Sequence, residues 1–168
     1  VNIHLPGPGV GGHCIAIDPW FLVEIGGDKA PMIHLARNIN DSMPGYTAQQ
    51  VQRILNHNKI AGGRVAVLGL AFKGNVDDMR ESPSVEVIYE LHKLGLQVTS
   101  FDPHIKENKH PTQTQSLEDA VSDADIILVL TDHNEFKELN PLTLVPANKI
   151  VFDTKNCLIR STWEEAGY

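Results

Sequence analysis

The sequence predicts an α/β domain with a parallel sheet, preceded by a helical segment. Three observations carry this. Short apolar runs of buried-strand character stand at 65–68, 126–130 and 150–152, and Val98 and Phe101 mark a further strand. Helix-period stretches lie between them, the clearest at 83–94. Strands that alternate with helices must be joined by crossovers, which are right-handed and leave neighbouring strands parallel.

Taken in order, residues 1–27 read as a loop-rich lead-in that ends in an apolar stretch, 20–25. Residues 30–58 read as helical. Pro31 suits a first turn, where its missing N–H would have no helical partner. Ile33, Ala36, Ile39 and Met43 recur at helical spacing, as do Val51, Ile54 and Leu55. Pro44 removes a donor inside this pattern and is expected to kink or divide the helix. Residues 59–63 read as a linker punctuated by Gly62-Gly63. After the strand at 65–68, the helix at 83–94 is opened by Ser82 or its neighbour and closed by Gly95, with Val85, Val87, Ile88, Leu91 and Leu94 as its apolar stripe. A short helix at 117–121 and a last one opening at 162–166 complete the pattern. The chain thus divides into 1–60 and 61–168.

Composition excludes several classes. Of 168 residues, 42% are apolar, as in an ordinary globular protein. No apolar run approaches the roughly 18–20 residues of a membrane span. A net charge of −7 without a basic stripe argues against a nucleic-acid partner. Cys14 and Cys157 are the only cysteines, too few for a disulfide framework, so free thiols in a reducing cytoplasm are expected. No signal peptide is visible, and the chain opens at Val1 without an initiating methionine, which reads as a piece of a longer protein.

The chemistry-bearing residues cluster early. Cys14 follows a glycine-dense loop, Gly7-Pro8-Gly9-Val10-Gly11-Gly12-His13. Glycines let backbone N–H groups approach a ligand and stabilise a developing oxyanion, which favours a nucleophilic thiol over a small buried hydrophobe. His13 is adjacent, but adjacency in sequence does not supply hydrogen-bond geometry. Asp18, four residues on, shares a face with Cys14 on a helical turn and could handle a proton, or it could cap the Pro19-Trp20 segment. Trp20 and Phe21 read as packing residues. Ligands in a parallel sheet lie beyond the carboxyl ends of its strands, which here carry Lys73, Asp102, Thr131 or Asp132, and Asp153. The run Gly69-Leu70-Ala71-Phe72-Lys73-Gly74 is not a dinucleotide fingerprint, because its glycines are wrongly spaced and no helix opens directly behind it. Arg80 could grip a pyrophosphate or pair with the surrounding acids, and the amino end of the 83–94 helix is a second possible anion site. Asp102 suits either a ribose contact or a turn. His104, His110 and His133 have no metal-ligand spacing with Cys14 or Cys157, so no metal is expected, and Cys157 reads as structural.

The run Gly7–Phe21 resembles the cysteine loop of the UDP-glucose/GDP-mannose dehydrogenase family. Ala36-Arg37-Asn38-Ile39-Asn40-Asp41-Ser42-Met43-Pro44 resembles that family's central dimer helix. The 69–74 run with Asp77-Asp78-Met79-Arg80-Glu81-Ser82-Pro83 resembles the opening of its UDP-sugar domain, and Phe101-Asp102-Pro103 and Asp153-Thr154-Lys155-Asn156 are similar to later positions. Its Gly-Gly-His-Cys and Asp-Pro-Trp-Phe forms resemble most the branch acting on UDP-N-acetylmannosamine. The resemblance implies a Rossmann-like UDP-sugar-binding domain after a central dimerisation segment, and a four-electron oxidation of a sugar C6 alcohol to a uronate with NAD. Cys14 would then form a thiohemiacetal and a thioester, and Asp18 would serve water activation or proton handling. Sugar-nucleotide contacts would fall to Leu5, Gly7, Gly9, Gly11, Gly12, Phe72 and Lys73. Lys155 would stand where several members place an arginine, and Arg80 would lie on the NAD side. A homodimer through the central helix is implied. The family's amino-terminal NAD-binding domain, and the lysine and asparagine it supplies ahead of the cysteine loop, are not in this sequence, so little NAD binding or turnover is expected of the chain alone. Two other readings stand beside this one: a non-catalytic sugar-nucleotide-binding or dimerisation module, and a hydrolytic thiol enzyme with a histidine oriented at Cys14.

Overall fold

A computed structural model of the chain describes residues 4–106, 109–144 and 149–168. Four strands, β1 (Arg64–Leu68), β2 (Gln97–Phe101), β3 (Ile126–Val129) and β4 (Ile150–Asp153), form one sheet in the order β2-β1-β3-β4. Every pairing is parallel, with Val65 opposite Val98 on one side and Ile126 on the other. The apolar runs at 65–68 and 126–129 are fully buried because β1 and β3 are central and covered on both faces. Side chains alternate across the sheet. Val65, Val67, Ile126 and Leu128 face one core, and Ala66, Leu68, Ile127 and Val129 face the other.

Two helices close the first face. These are α2 (Pro31–His57), through Val51 and Leu55, and α3 (Pro83–Lys93), through Val87, Ile88 and Leu91. Three short helices, α4 (Leu117–Val121), α5 (Asn134–Lys137) and α6 (Arg160–Glu165), line the second face with Val121, Phe136 and Trp163. Ser82 and Ser116 cap α3 and α4 through their side-chain oxygens. Gly95, at φ 76°, ends the turn after α3 as expected.

Three features differ from the sequence reading. The lead-in holds a helix, α1 (Asp18–Gly26), followed by a 3-10 turn at Gly27–Lys29. It is missed because none of its residues is buried, so no core-facing stripe marks it. For the same reason Phe21 is not a packing residue within this chain and stands 57% exposed, while Trp20 is half-buried with its edge on His34. Finally, Pro44 does not divide α2, which runs for 27 residues through it. The proline forgoes only the bond to the Asn40 carbonyl, while Val51 and Leu55 anchor the following turns in the core.

The carboxyl ends of three strands are tied by one side chain. Asp102, just past β2, accepts from Leu70 N (2.7 Å), Ala71 N (2.9 Å) and His133 Nε2 (3.1 Å) on one oxygen, and from His104 N (2.9 Å) and Ile105 N (3.2 Å) on the other. Burial pushes this carboxyl up, but the His133 contact and the backbone N–H groups outweigh it and hold it at about 2. Both oxygens are filled, so Asp102 takes the turn role and not the ribose contact.

A carboxyl depressed from about 3.9 unfolded to about 2 folded contributes stability above pH 4, which is lost as pH falls through 2, a term of about 2 kcal/mol. The carboxyl carbon resonance of Asp102 is expected to keep its ionised shift down to about pH 2. A midpoint near 4 would mean that the five-donor shell does not hold in solution.

Candidate functional site

The chain leaves β1 toward β2 on one side of the sheet and returns to β3 on the other, so the order of strands reverses between β1 and β3. Ligands of open parallel sheets bind beyond the carboxyl ends of the strands at such a point. Here that crevice is lined by Phe72, Lys73, Thr131, Asp132 and Lys155, with Pro8 and Gly9 lying across it. The enclosed space is about 10 Å³, room for about one water, so any larger ligand would have to displace lining side chains or part the loop.

The glycine loop is docked by shape. A Cβ on Gly11 would collide with the Glu81 carbonyl oxygen and, at 2.5 Å, with Pro83 Cδ, so only glycine lets the loop lie on the start of α3. Gly12 holds φ +97° with the Phe72 ring against it, and its N–H donates to Glu81 O at 3.3 Å. Gly9 lies on Pro83, and Gly7 lies on the Lys155 side chain. The directional contact comes from α2. The Asn40 amide accepts from Val10 N (2.8 Å) and donates to Val10 O (3.1 Å). Asn40 is one turn before Pro44, and sequence reasoning gave it no role. A polar amide a turn ahead of a helix proline was the available signal.

The loop delivers an exposed Cys14 whose Sγ lies 2.9 Å from His13 Nδ1. Adjacency thus becomes hydrogen-bond geometry, and the ring can accept the thiol proton. The Cys14 carbonyl accepts from Ile17 N (3.0 Å) and Asp18 N (2.8 Å), which sets the helical turn between Cys14 and Asp18. Asp18 is exposed and begins α1; it is not the residue before the helix, which is Ile17. Leu5 is 73% exposed at the outer end of the loop.

Around the crevice, Lys73 is exposed and sits 5.6 Å above the Phe72 ring. Asp153 accepts from Lys155 N, Cys157 N and Leu158 N, and so shapes the turn that presents Lys155. Arg80 pairs with Asp78, Nε to Oδ1 at 3.0 Å and Nη2 to Oδ2 at 2.7 Å, while remaining exposed. The arginine beside Asp78 holds that carboxyl at about 2.

The amino end of α3 is not an anion site. Pro83 has no N–H, Ser84 N is capped by Ser82 Oγ, and Val85 N and Glu86 N donate to Ser82 O. Four N–H groups of the turn after β1 are engaged as well. Leu70 N and Ala71 N go to Asp102, Phe72 N to Asp78 O, and Asn75 N to His133. His104, His133 and Glu135 bring ligand atoms within 4.8 Å of one another. However, the two rings stack with centroids 4.7 Å apart, so their in-plane lone pairs do not converge on one ion, and both His133 nitrogens are engaged.

Comparison with known proteins gives two family matches. Residues 66–160 match the UDP binding domain of the UDP-glucose/GDP-mannose dehydrogenase family, and residues 1–42 match its central domain. A UDP-N-acetyl-D-mannosamine dehydrogenase of Methanococcus maripaludis is 46% identical over 173 residues, covering 100% of this chain and 40% of that protein. Among solved structures, UDP-D-ManNAc dehydrogenase from Pyrococcus horikoshii aligns with a TM-score of 0.78 and 34% identity, covering 94% of this chain and 38% of that one. The NDP-N-acetyl-D-galactosaminuronic acid dehydrogenase of Methanosarcina mazei Go1 aligns at 0.85 and 30%, covering 98% and 38%. The chain thus spans about two-fifths of the length of these relatives.

The two thiols differ sharply. Burial, with Asp153 and Asp132 nearby, pushes Cys157 up to about 12, so almost no thiolate forms there near neutrality. At pH 8 a thiol reagent is expected to modify Cys14 at least about 100-fold faster than Cys157, with Cys157 reacting only on unfolding. Mass-spectrometric peptide mapping of a time course checks this, and equal rates would contradict it.

Proposed function

Because the chain belongs to the UDP-glucose/GDP-mannose dehydrogenase family, we propose that it is the thiol-bearing and nucleotide-binding part of a sugar-nucleotide 6-dehydrogenase. In this reading the whole protein oxidises UDP-N-acetylmannosamine to UDP-N-acetylmannosaminuronate. The observation that carries the reading is the docking of the glycine loop that leads to Cys14 over the β1/β3 crevice, where Pro8 and Gly9 join Lys73 and Lys155 in the lining and Gly7 lies on the Lys155 side chain. Residues 1–60 supply the thiol and 61–168 the nucleotide site.

Lys73 and Lys155 meet the diphosphate as point charges, Phe72 packs on the ligand, and Leu5, Gly7, Gly9, Gly11 and Gly12 form the wall along the sugar nucleotide. His13 takes the Cys14 proton, and the thiolate adds to the aldehyde carbon at C6 to give a thiohemiacetal. Once the adduct stands at the thioester level, Asp18 orients the water that releases the uronate and returns the thiolate. The oxidations belong to the cofactor, NAD in this reading. Arg80, an exposed guanidinium, is assigned to its side by the family resemblance. The Cys14–His13 contact would equally serve a hydrolytic thiol site, and turnover without NAD separates that alternative.

The outer face of α1 and α2 fits a homodimer. Phe21, Leu22, Ile25, Met32, Leu35 and Ile39 are all more than half exposed and apolar. No helix among the described residues is long and apolar enough to cross a membrane, and we place the protein in the cytoplasm on its free thiols.

Calorimetric titration of the chain is expected to show binding of UDP and UDP-sugars and none of NAD, with Lys73→Ala and Lys155→Ala each weakening UDP by about tenfold. Binding of NAD without UDP would overturn the assignment. Sedimentation at high protein concentration is expected to show a dimer that Leu35→Glu dissociates; a monomer throughout would remove the dimer face.

A further inference from the structure

His133 takes no part in the proposed chemistry, yet its side chain is wholly buried just past β3, beside the crevice. Its ring is fixed by what it touches. Asn75 N–H donates to Nδ1 at 2.9 Å, so that nitrogen carries a lone pair, and the ring proton sits on Nε2, donated to Asp102 at 3.1 Å. A proton on Nδ1 would confront the Asn75 N–H.

The contact is one half of a clasp. Asn75 holds φ 61°, and its Oδ1 accepts from Asn134 N at 2.9 Å, so residue 75 is gripped from both 133 and 134. Gly74 is closed in as well, since a Cβ there would lie 2.7 Å from Asp132 O. At the other end of the turn, Asp102 holds Leu70 N and Ala71 N. The segment is therefore pinned at 70–71 and at 74–75, and between the pins stand Phe72, against Gly12 of the cysteine loop, and Lys73, at the crevice.

We infer that His133 is a positioning residue for the Phe72–Lys73 turn, its Nδ1 setting, through the Asn75 N–H, where Lys73 stands relative to a bound nucleoside diphosphate. This rests on the proposed nucleotide site for its purpose, but not for its geometry. A purely structural histidine, packed on His104 and Phe136, would make the same ring contacts without this directional link.

Two substitutions separate the two ends of the ring. The Asn side-chain oxygen falls near Nδ1, so His133→Asn keeps the acceptor for Asn75 and loses the donor to Asp102. The Gln amide nitrogen falls near Nε2, so His133→Gln keeps that donor and loses the acceptor. With UDP as the probe and the 168-residue chain as the protein, His133→Gln is expected to raise Kd about tenfold or more, while His133→Asn stays within about threefold despite the larger fall in Tm. Amide exchange at Lys73 and Asn75 is expected to quicken in the Gln variant alone. Affinity that tracks Tm in both variants would reduce His133 to packing and overturn the inference. If the unsubstituted chain binds no UDP, the nucleotide reading fails by itself, and the exchange data still decide. Unchanged exchange at Asn75 in His133→Gln, or a proton found on Nδ1 by ring nitrogen shifts of the unsubstituted chain, overturns the positioning role whether or not the variants fold.

Discussion

The Asp102 carboxylate is the constraint on which the crevice depends. Apolar burial holds the sheet and helices together, but it is non-directional and cannot fix how the loops leave the strands. One buried anion with five donors can. It joins the turn after β1, the corner after β2 and the imidazole after β3, so the three rims of the crevice share one electrostatic centre. A buried anion is stable only when its lone pairs are filled, so these loops are held as a set.

The cysteine loop is positioned by a different logic. Glycines remove the side chains that would hold it away from α3, and Asn40 supplies the single two-way hydrogen bond that fixes its register. The position of Cys14 is thus inherited in steps. Val51 and Leu55 root α2 in the core, α2 carries Asn40, Asn40 holds Val10, and four residues later stands the thiol. Pro44 falls between root and clasp, and the helix passes through it because the turns beyond are anchored by burial.

Much of this was legible in the sequence where a pattern repeats. The central strands were visible because burial on both faces writes a continuous apolar run, and α3 because its stripe, Ser82 and Gly95 agree. The parallel topology followed from element order alone. Cys14 and Lys73 were nameable because they sit in loops beside glycines or a strand end, and Lys155 only through the family resemblance. What stayed hidden is non-periodic or distant. α1 buries none of its residues, α5 is four residues long, and the Asp102–His133 pair joins positions 31 apart. The saturation of the α3 amino end was also hidden, because whether an N–H is free depends on a neighbour's rotamer and not on residue type.

The sheet order carries a consequence for how the molecule comes into being. β1 pairs first with β2, its successor in the chain, but its other neighbour, β3, begins some sixty residues later. During vectorial synthesis the open edge of β1 therefore waits, apolar on both faces, until β3 emerges. The rim at the end of β3 arrives with it. The completion of the crevice coincides with the closing of the sheet's centre, so a chain stalled before residue 126 has most of its helices but lacks the Thr131, Asp132 and Lys155 side of the crevice.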